Sequence, residues 1–208
     1  MTGRSAGRPH NPVSRDALLS VAREVFAEHG YGAASLSVIA HRAGLGKASL
    51  LHHFASKEAL YVETVSEMVR NLHTHVTAAG VPTGTFVERL DRLGQAVVGY
   101  LGAHPPVARL LLRELVDGGP FLRGPGAQAV RATLDTIVAF LGQGLVGKAL
   151  HPDAARHLAF SIIGAHLFYF AAPGLASQIL GRDVFEAQLV DQRAQAIRAQ
   201  VRRMVGVD

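Results

Sequence analysis

The sequence predicts an all-α protein, on three observations. Apolar residues recur at i, i+3 and i+4 along nearly the whole chain. Alternation at period two, the mark of a half-buried strand, is missing. Gly, Pro and the capping residues Ser, Thr and Asp fall where helices should stop and start. The 208 residues suit one core, or one core plus a small module.

Each element follows from these signals. Residues 1–13 are rich in Gly, Pro and Arg and read as a flexible basic tail. Ser14 suits an N-cap and Asp16 a first turn, so a helix runs from Arg15 to His29, and Gly30 ends it in a left-handed cap. Ser35 caps a second helix, Leu36 to Ala43. The turn Gly44-Leu45-Gly46 leads to a third, Lys47 to Phe54, with Leu50 and Phe54 on one face. Ser56 caps a fourth, with Glu58 in its first turn, and its apolar residues run from Leu60 to Leu72. Further helices are expected over Thr85–Ala103, Val107–Val116, Ala127–Leu150 and Ala154–Ala172. His104-Pro105-Pro106 and His151-Pro152 read as breaks. The segments from Asp117 to Pro120 and from Arg123 to Gly126 read as loops. Asp153 suits a cap, and Asp183 is expected to cap the last helix, which reaches about Val205.

Composition narrows the function classes. With no Cys there is no disulfide framework, thiolate nucleophile or Cys-based metal site. The first residues lack an apolar signal-peptide core. Leu158 to Ala176 is the most apolar stretch, but His166 and Pro173 interrupt it, and a spanning helix needs roughly 20 apolar residues. It predicts a buried helix, with no membrane partner and a cytoplasmic location. The net charge of +5 favours an anionic partner, and charge is denser in residues 1–60. The eleven His do not form a metal pattern. His52/His53 and His73/His75 are spaced wrongly for one helix face, and Asp153 with His157 is better explained by capping. No Gly-x-Ser-x-Gly or phosphate-cradling loop occurs. Neither an enzyme nor a bound metal or cofactor is expected.

Two short helices joined by a Gly-containing turn form a helix-turn-helix pattern. The ensemble Val25-Phe26-Ala27-Glu28-His29-Gly30-Tyr31, Ser35 to Ala40, Ala43-Gly44-Leu45 and Leu50 to Phe54 with Ser56-Lys57-Glu58-Ala59-Leu60 resembles the DNA-binding domain of TetR-family transcriptional regulators. The match covers about residues 14–62. The resemblance implies a homodimer with an N-terminal three-helix helix-turn-helix DNA-binding domain at 14–60. A larger C-terminal helical domain at 61–208 would bind a small effector of unknown identity and dimerise. It further implies a repressor that holds a palindromic double-stranded DNA operator.

Lys47, Ala48, Leu51 and His52 then face base edges from the recognition helix. Ser35, Ser49, His53 and Lys57 reach phosphates. This chain departs from the family's usual pattern at Val38, Gly46 and Leu51. A second reading, a helical small-molecule binder or scaffold whose DNA-binding domain has decayed, rests on Gly46 and Leu51. Gly7-Arg8-Pro9, with Arg4, resembles part of a minor-groove hook.

In the final helix Val190, Ala194, Ile197, Val201 and Met204 repeat as a heptad seam. Such a seam must be buried, and the chain's own core is one place for it; the resemblance turns it into a dimer interface, with Phe160 and Leu167 of the preceding apolar helix as partners. A pocket between helices would be lined by Met68, Leu72, Phe86, Tyr100, Leu111, Phe121, Phe140, His166 and Phe170. That lining suits a hydrophobic or aromatic effector.

Overall fold

A computed structural model describes residues 13–80, 82–124, 126–145 and 153–207. The tail with Arg4 and Arg8, and the break at His151-Pro152, lie outside these residues. The described residues form α1 (Arg15–Ala33), α2 (Leu36–Arg42), α3 (Lys47–His53), α4 (Lys57–Ala79), α5 (Phe86–Ala103), α6 (Pro105–Asp117), α7 (Pro120–Arg123), α8 (Gly126–Gly144), α9 (Ala154–Ala171), α10 (Pro173–Leu180) and α11 (Ala187–Val205). No strand occurs among them.

The caps explain most boundaries. The hydroxyls of Ser14, Ser35 and Ser56 accept from the backbone N–H of Ala17, Ser37 and Ala59 at 3.2, 3.2 and 3.0 Å. Thr85 and Glu88 form a reciprocal capping box at the start of α5. Gly30 has φ 74°, so α1 is interrupted there and continues for one further turn. Gly44, at φ 72°, turns the chain between α2 and α3, and the Leu45 N–H donates back to the Ala40 carbonyl at 2.8 Å.

Other expectations are corrected. α5 ends at Ala103 as expected, but α6 begins at Pro105 and not at Val107, because a helix's first turn needs no proline N–H. Pro120 likewise starts the short α7 where a loop was expected, and Pro173, which follows the end of α9 as expected, also starts α10. Asp153 makes no side-chain cap bond and instead pairs with Arg156. Asp183 accepts from the Phe185 N–H, and α11 begins only at Ala187.

The N-terminal core is built from Leu18, Ala22, Val25 and Phe26 of α1, Ile39 and Ala40 of α2, Leu50 of α3, Phe54, and Leu60 and Tyr61 of α4, all buried. α4 runs from this unit into the second without a break. The expected domain boundary at residue 60 therefore falls inside a helix of 23 residues. Beyond it, α6 packs against α1 and α9, α5 against α4 and α11, and α8 against α9. No single described helix is long and apolar enough to cross a membrane, although α9 and α10 pass that test as a pair bent by 80°. α9 is the core helix of the second region, with Ala159, His166, Leu167 and Phe170 buried.

Leu50 is fully buried and is the side chain by which the short α3 is held to the N-terminal core. Leu50→Ala is expected to cost about 2–5 kcal/mol of unfolding free energy, read by urea denaturation. A loss below about 1 kcal/mol would show that α3 does not depend on this anchor.

Candidate nucleic-acid interface

α3 buries Leu50 and turns its other residues to solvent. Lys47, Ala48, Ser49, Leu51, His52 and His53 are all exposed, Leu51 at 40%. The residues expected to face base edges thus share one accessible face. Gly46 supplies no side-chain cap to α3. Ser35 is exposed at the start of α2, its hydroxyl engaged with the Ser37 N–H.

Three cations that tie the helices together fix this face. Arg15 binds both carboxylate oxygens of Glu63 at 2.7 and 2.5 Å, donates to the His53 carbonyl at 2.7 Å, and lies 4.3 Å over the Phe54 ring. It clamps the end of α3 to α1 and α4. Arg42 binds Glu28 through two bonds at 3.0 and 2.8 Å, joining α2 to α1. The Arg42 guanidinium holds the Glu28 carboxyl below its ordinary range. Lys57 donates to the Gly32 carbonyl at 2.9 Å and lies 4.8 Å from the Tyr31 ring centre. Its ammonium is therefore already partnered, with further N–H groups to spare. Sequence reasoning missed Arg15 and Arg42, whose partners lie 48 and 14 residues away.

Behind the interface lies a buried joint that the sequence did not reveal. Glu114 of α6 is 2% exposed. One carboxylate oxygen accepts from the Tyr61 hydroxyl at 2.6 Å and the other from the Leu122 N–H at 2.7 Å. Tyr61 belongs to α4 and Leu122 to α7, so a single side chain connects three helices. Burial, then the Glu114 carboxylate, raise the Tyr61 phenol far above its ordinary range, so it remains a donor. The Phe26 and Tyr31 rings of α1 meet the Tyr61 ring edge-on at 4.9 Å each. A Cβ at Gly119 would run into the Glu114 carboxylate, so the chain passes there only as glycine. A cleft of about 280 Å³ lined by Tyr31, Tyr61, Arg113, Glu114 and Arg123 marks the same joint.

The expected pocket residues are placed as follows. Met68, Tyr100, Phe121, His166 and Phe170 are buried, whereas Leu72, Phe86, Leu111 and Phe140 are partly so. Phe86 stacks on Phe140 at 5.1 Å, with Arg89 over the Phe140 ring at 5.0 Å. Phe121 packs where Gly126 has no side chain. Neither this cleft nor a second one on α11 (Gln195, Arg198, Ala199, Arg202 and Arg203) is lined by any of the nine.

The heptad seam of α11 requires a correction. Ile197 and Val201 are buried in the chain's own core, Val190 lies against Gly102 of α5, and Arg202 pairs with Asp91 of α5. Ala194 and Met204 are half-buried, and Leu167 of α9 is buried. The seam covers α5 because that helix presents glycine where α11 approaches. Phe160, by contrast, is 78% exposed and heads a stripe with Ser161, Gly164 and Phe168 along α9. Leu175 and Ile179 of α10 are exposed apolar residues as well.

Comparison with known proteins places these features. Residues 18–64 match the family model for bacterial regulatory proteins of the tetR family, and residues 87–201 match that for the tetracyclin repressor-like C-terminal domain. The chain is 28% identical over 168 residues to the HTH-type transcriptional regulator RutR of Escherichia coli K12, covering 76% of each. It is 29% identical over 149 residues to the HTH-type transcriptional activator FasR of Mycolicibacterium smegmatis, covering 72% of this chain and 67% of that one. Among solved structures, a tetR-family regulatory protein from Rhodococcus RHA1 superposes with TM-score 0.73 at 22% identity, covering 94% and 99% of the two chains. AibR, solved with isovaleryl coenzyme A and operator DNA, superposes with TM-score 0.71 at 17% identity, covering 89% and 96%.

The Glu114 joint makes a sharp expectation. Tyr61→Phe removes one of the two donors to a buried carboxylate and is expected to cost about 1–3 kcal/mol in urea denaturation. An unchanged midpoint would show that the carboxylate does not need the phenol.

Proposed function

Because this chain belongs to the TetR family of bacterial transcriptional regulators, we propose that it represses transcription as a homodimer on a palindromic operator and is released by a small apolar effector. It is a DNA-binding regulator and not an enzyme. The observation that carries the proposal is the combination of an exposed α3 face with a buried joint that ties the N-terminal unit to α6 and α7.

In this reading residues 14–60 form the DNA-binding unit and 61–208 the effector and dimer unit. α3 enters the major groove with Lys47, Ala48, Leu51 and His52 toward base edges. Lys47 donates to guanine O6 and N7, and Leu51 meets a thymine methyl. Ser35, Ser49, His53 and Lys57 contact phosphates, with Lys57 retaining its bond to the Gly32 carbonyl. The dimer forms through the α9 stripe of Phe160, Ser161, Gly164 and Phe168 and the outer side of α11. Gly164 lets the two copies of α9 approach closely, and a two-fold axis makes the same patch face itself. The two recognition helices then lie one DNA turn apart, roughly 34 Å.

The effector site lies between the helices of the larger unit, around the nine apolar and aromatic residues named from the sequence. Release works as a population shift. The effector favours an arrangement of α6 and α9 in which Glu114 carries α4, and with it α3, to a spacing that no longer fits both half-sites. α6 is suited to that role because it touches α9 on one side and α1 on the other.

A binding selection on genome fragments, at two salt concentrations, tests the proposal. One palindrome is expected to be enriched and its affinity to fall steeply with salt. Lys47→Ala is expected to weaken it by about 1–3 kcal/mol and to relax the preference at one position of each half-site. No enriched sequence at either salt would favour the decayed-domain reading. A reporter placed behind the operator tests the sign of regulation. Expression is expected to rise when the protein is deleted, and a fall would make it an activator.

A further inference from the structure

Among the described residues three buried side-chain atoms of the larger unit have no hydrogen-bond partner, Glu67 Oε2, His166 Nε2 and Arg193 Nε, and the last two belong to side chains packed on α9. His166 of α9 is 5% exposed, and its Nδ1 lies 2.7 Å from the Ile162 carbonyl. A carbonyl oxygen only accepts, so Nδ1 carries the proton. In the neutral ring Nε2 is then a bare acceptor. Burial pushes the His166 pKa down, and the Arg193 charge adds to this, so the ring is neutral near pH 7. Nε2 is buried and accepts from nothing. Gly94 of α5 faces it, and a Cβ there would stand 3.9 Å from Nε2.

The second atom belongs to Arg193 of α11. Its Nη2 donates at 2.5 Å to the carbonyl of Ala165, the residue before His166, and its guanidinium lies 4.5 Å over the Tyr169 ring. Its Nε is buried without an acceptor, and no carboxylate pairs with it among the described residues. Burial lowers the Arg193 pKa, but its charge persists. A partly buried cation without an anion, bonded to the residue that precedes a buried acceptor without a donor, is a costly arrangement for a chain to keep unfilled.

We propose that His166 Nε2 and Arg193 Nε form the polar end of the effector site, and that its ligand is an apolar organic acid bearing a hydroxyl or N–H donor. This inference rests on the effector-responsive reading above and names the class of ligand for it. The donor group binds Nε2 and the carboxylate binds Arg193. The hydrocarbon body lies among the apolar side chains of α5, α8 and α9.

Calorimetric titration of the full chain with β-hydroxydecanoate, decanoate and the methyl ester of β-hydroxydecanoate tests the assignment. The hydroxy acid is expected to bind about tenfold more tightly than either analogue, one hydrogen bond or one charge contact being removed in each. Gly94→Ser sets a hydroxyl within reach of Nε2 and is expected to abolish the preference over decanoate alone. Arg193→Gln is expected to abolish the preference over the ester alone. Operator binding by Gly94→Ser without the acid should match that of the original chain. Equal affinity for the three probes, no uptake of any, or preferences that survive the substitutions would overturn the assignment. Preferences as expected in a chain that selects no operator would uphold the site and remove the regulator reading, so the two failures are distinguishable.

Discussion

The arrangement of the two regions depends on a carboxylate withdrawn from water, to which no cation among the described residues is bonded. Moving an ionised carboxyl into a protein interior costs several kcal/mol unless hydrogen bonds replace its hydration. Glu114 keeps its place because the Tyr61 hydroxyl and the Leu122 N–H reach its two oxygens at 2.6 and 2.7 Å. Both donors come from other helices, so neither α4 nor α7 can shift against α6 without stranding the charge. The same demand reaches outward. Gly119 must be glycine for the chain to pass the carboxylate, and the Tyr61 ring, held by the phenol, is the surface on which Phe26 and Tyr31 of α1 rest. A small change in the direction of α6 is therefore felt first by α4 and α1, the helices that carry the DNA-facing unit.

Within that unit, packing and ion pairs divide the work. Leu18, Phe26, Ile39, Leu50 and Leu60 are fully buried, and burying each such side chain contributes about 1.5–3 kcal/mol. The Arg15–Glu63 and Arg42–Glu28 pairs are exposed and contribute little to stability by comparison. Their effect is orientation. α3 is only seven residues long and has one fully buried side chain, too little apolar contact to fix its angle. Arg15 supplies the missing constraint by binding the last carbonyl of α3 while holding Glu63 of α4.

The parts of this structure legible in the sequence are those set by nearest neighbours along the chain. Ser14, Ser35 and Ser56 cap the helices they were expected to cap, and the i, i+4 pairing of Leu50 with Phe54 identified the buried side of α3. The helix starts at Pro105, Pro120 and Pro173 were missed because a break and a helix start look alike until the following backbone is seen. The seam on α11 was real, but periodicity reports that a face is buried and not against what. Gly102 of α5, inside a helical pattern, was the available sign that another helix lies close. The Glu114 joint was not legible at all. Tyr61 and Glu114 stand 53 residues apart, and neither has a local pattern that marks it.

The size of the required switch bears on where the effector's binding energy must come from. Reversing a hundredfold preference between two arrangements takes a differential affinity of about 5.5 kcal/mol. Two polar contacts, one neutral and one charged, supply about 2–4 kcal/mol of it. The remainder requires apolar surface that the effector buries in one arrangement and not in the other, about 60–140 Å² at the usual 25 cal/mol per Å². α9 can deliver both. It carries His166 and Phe170 on its buried side, it is the helix against which α6 and α8 pack, and its outer stripe from Phe160 to Phe168 is free to meet a second copy. In the proposed mechanism a ligand that moves α9 acts at once on the α6 joint and on the proposed dimer face.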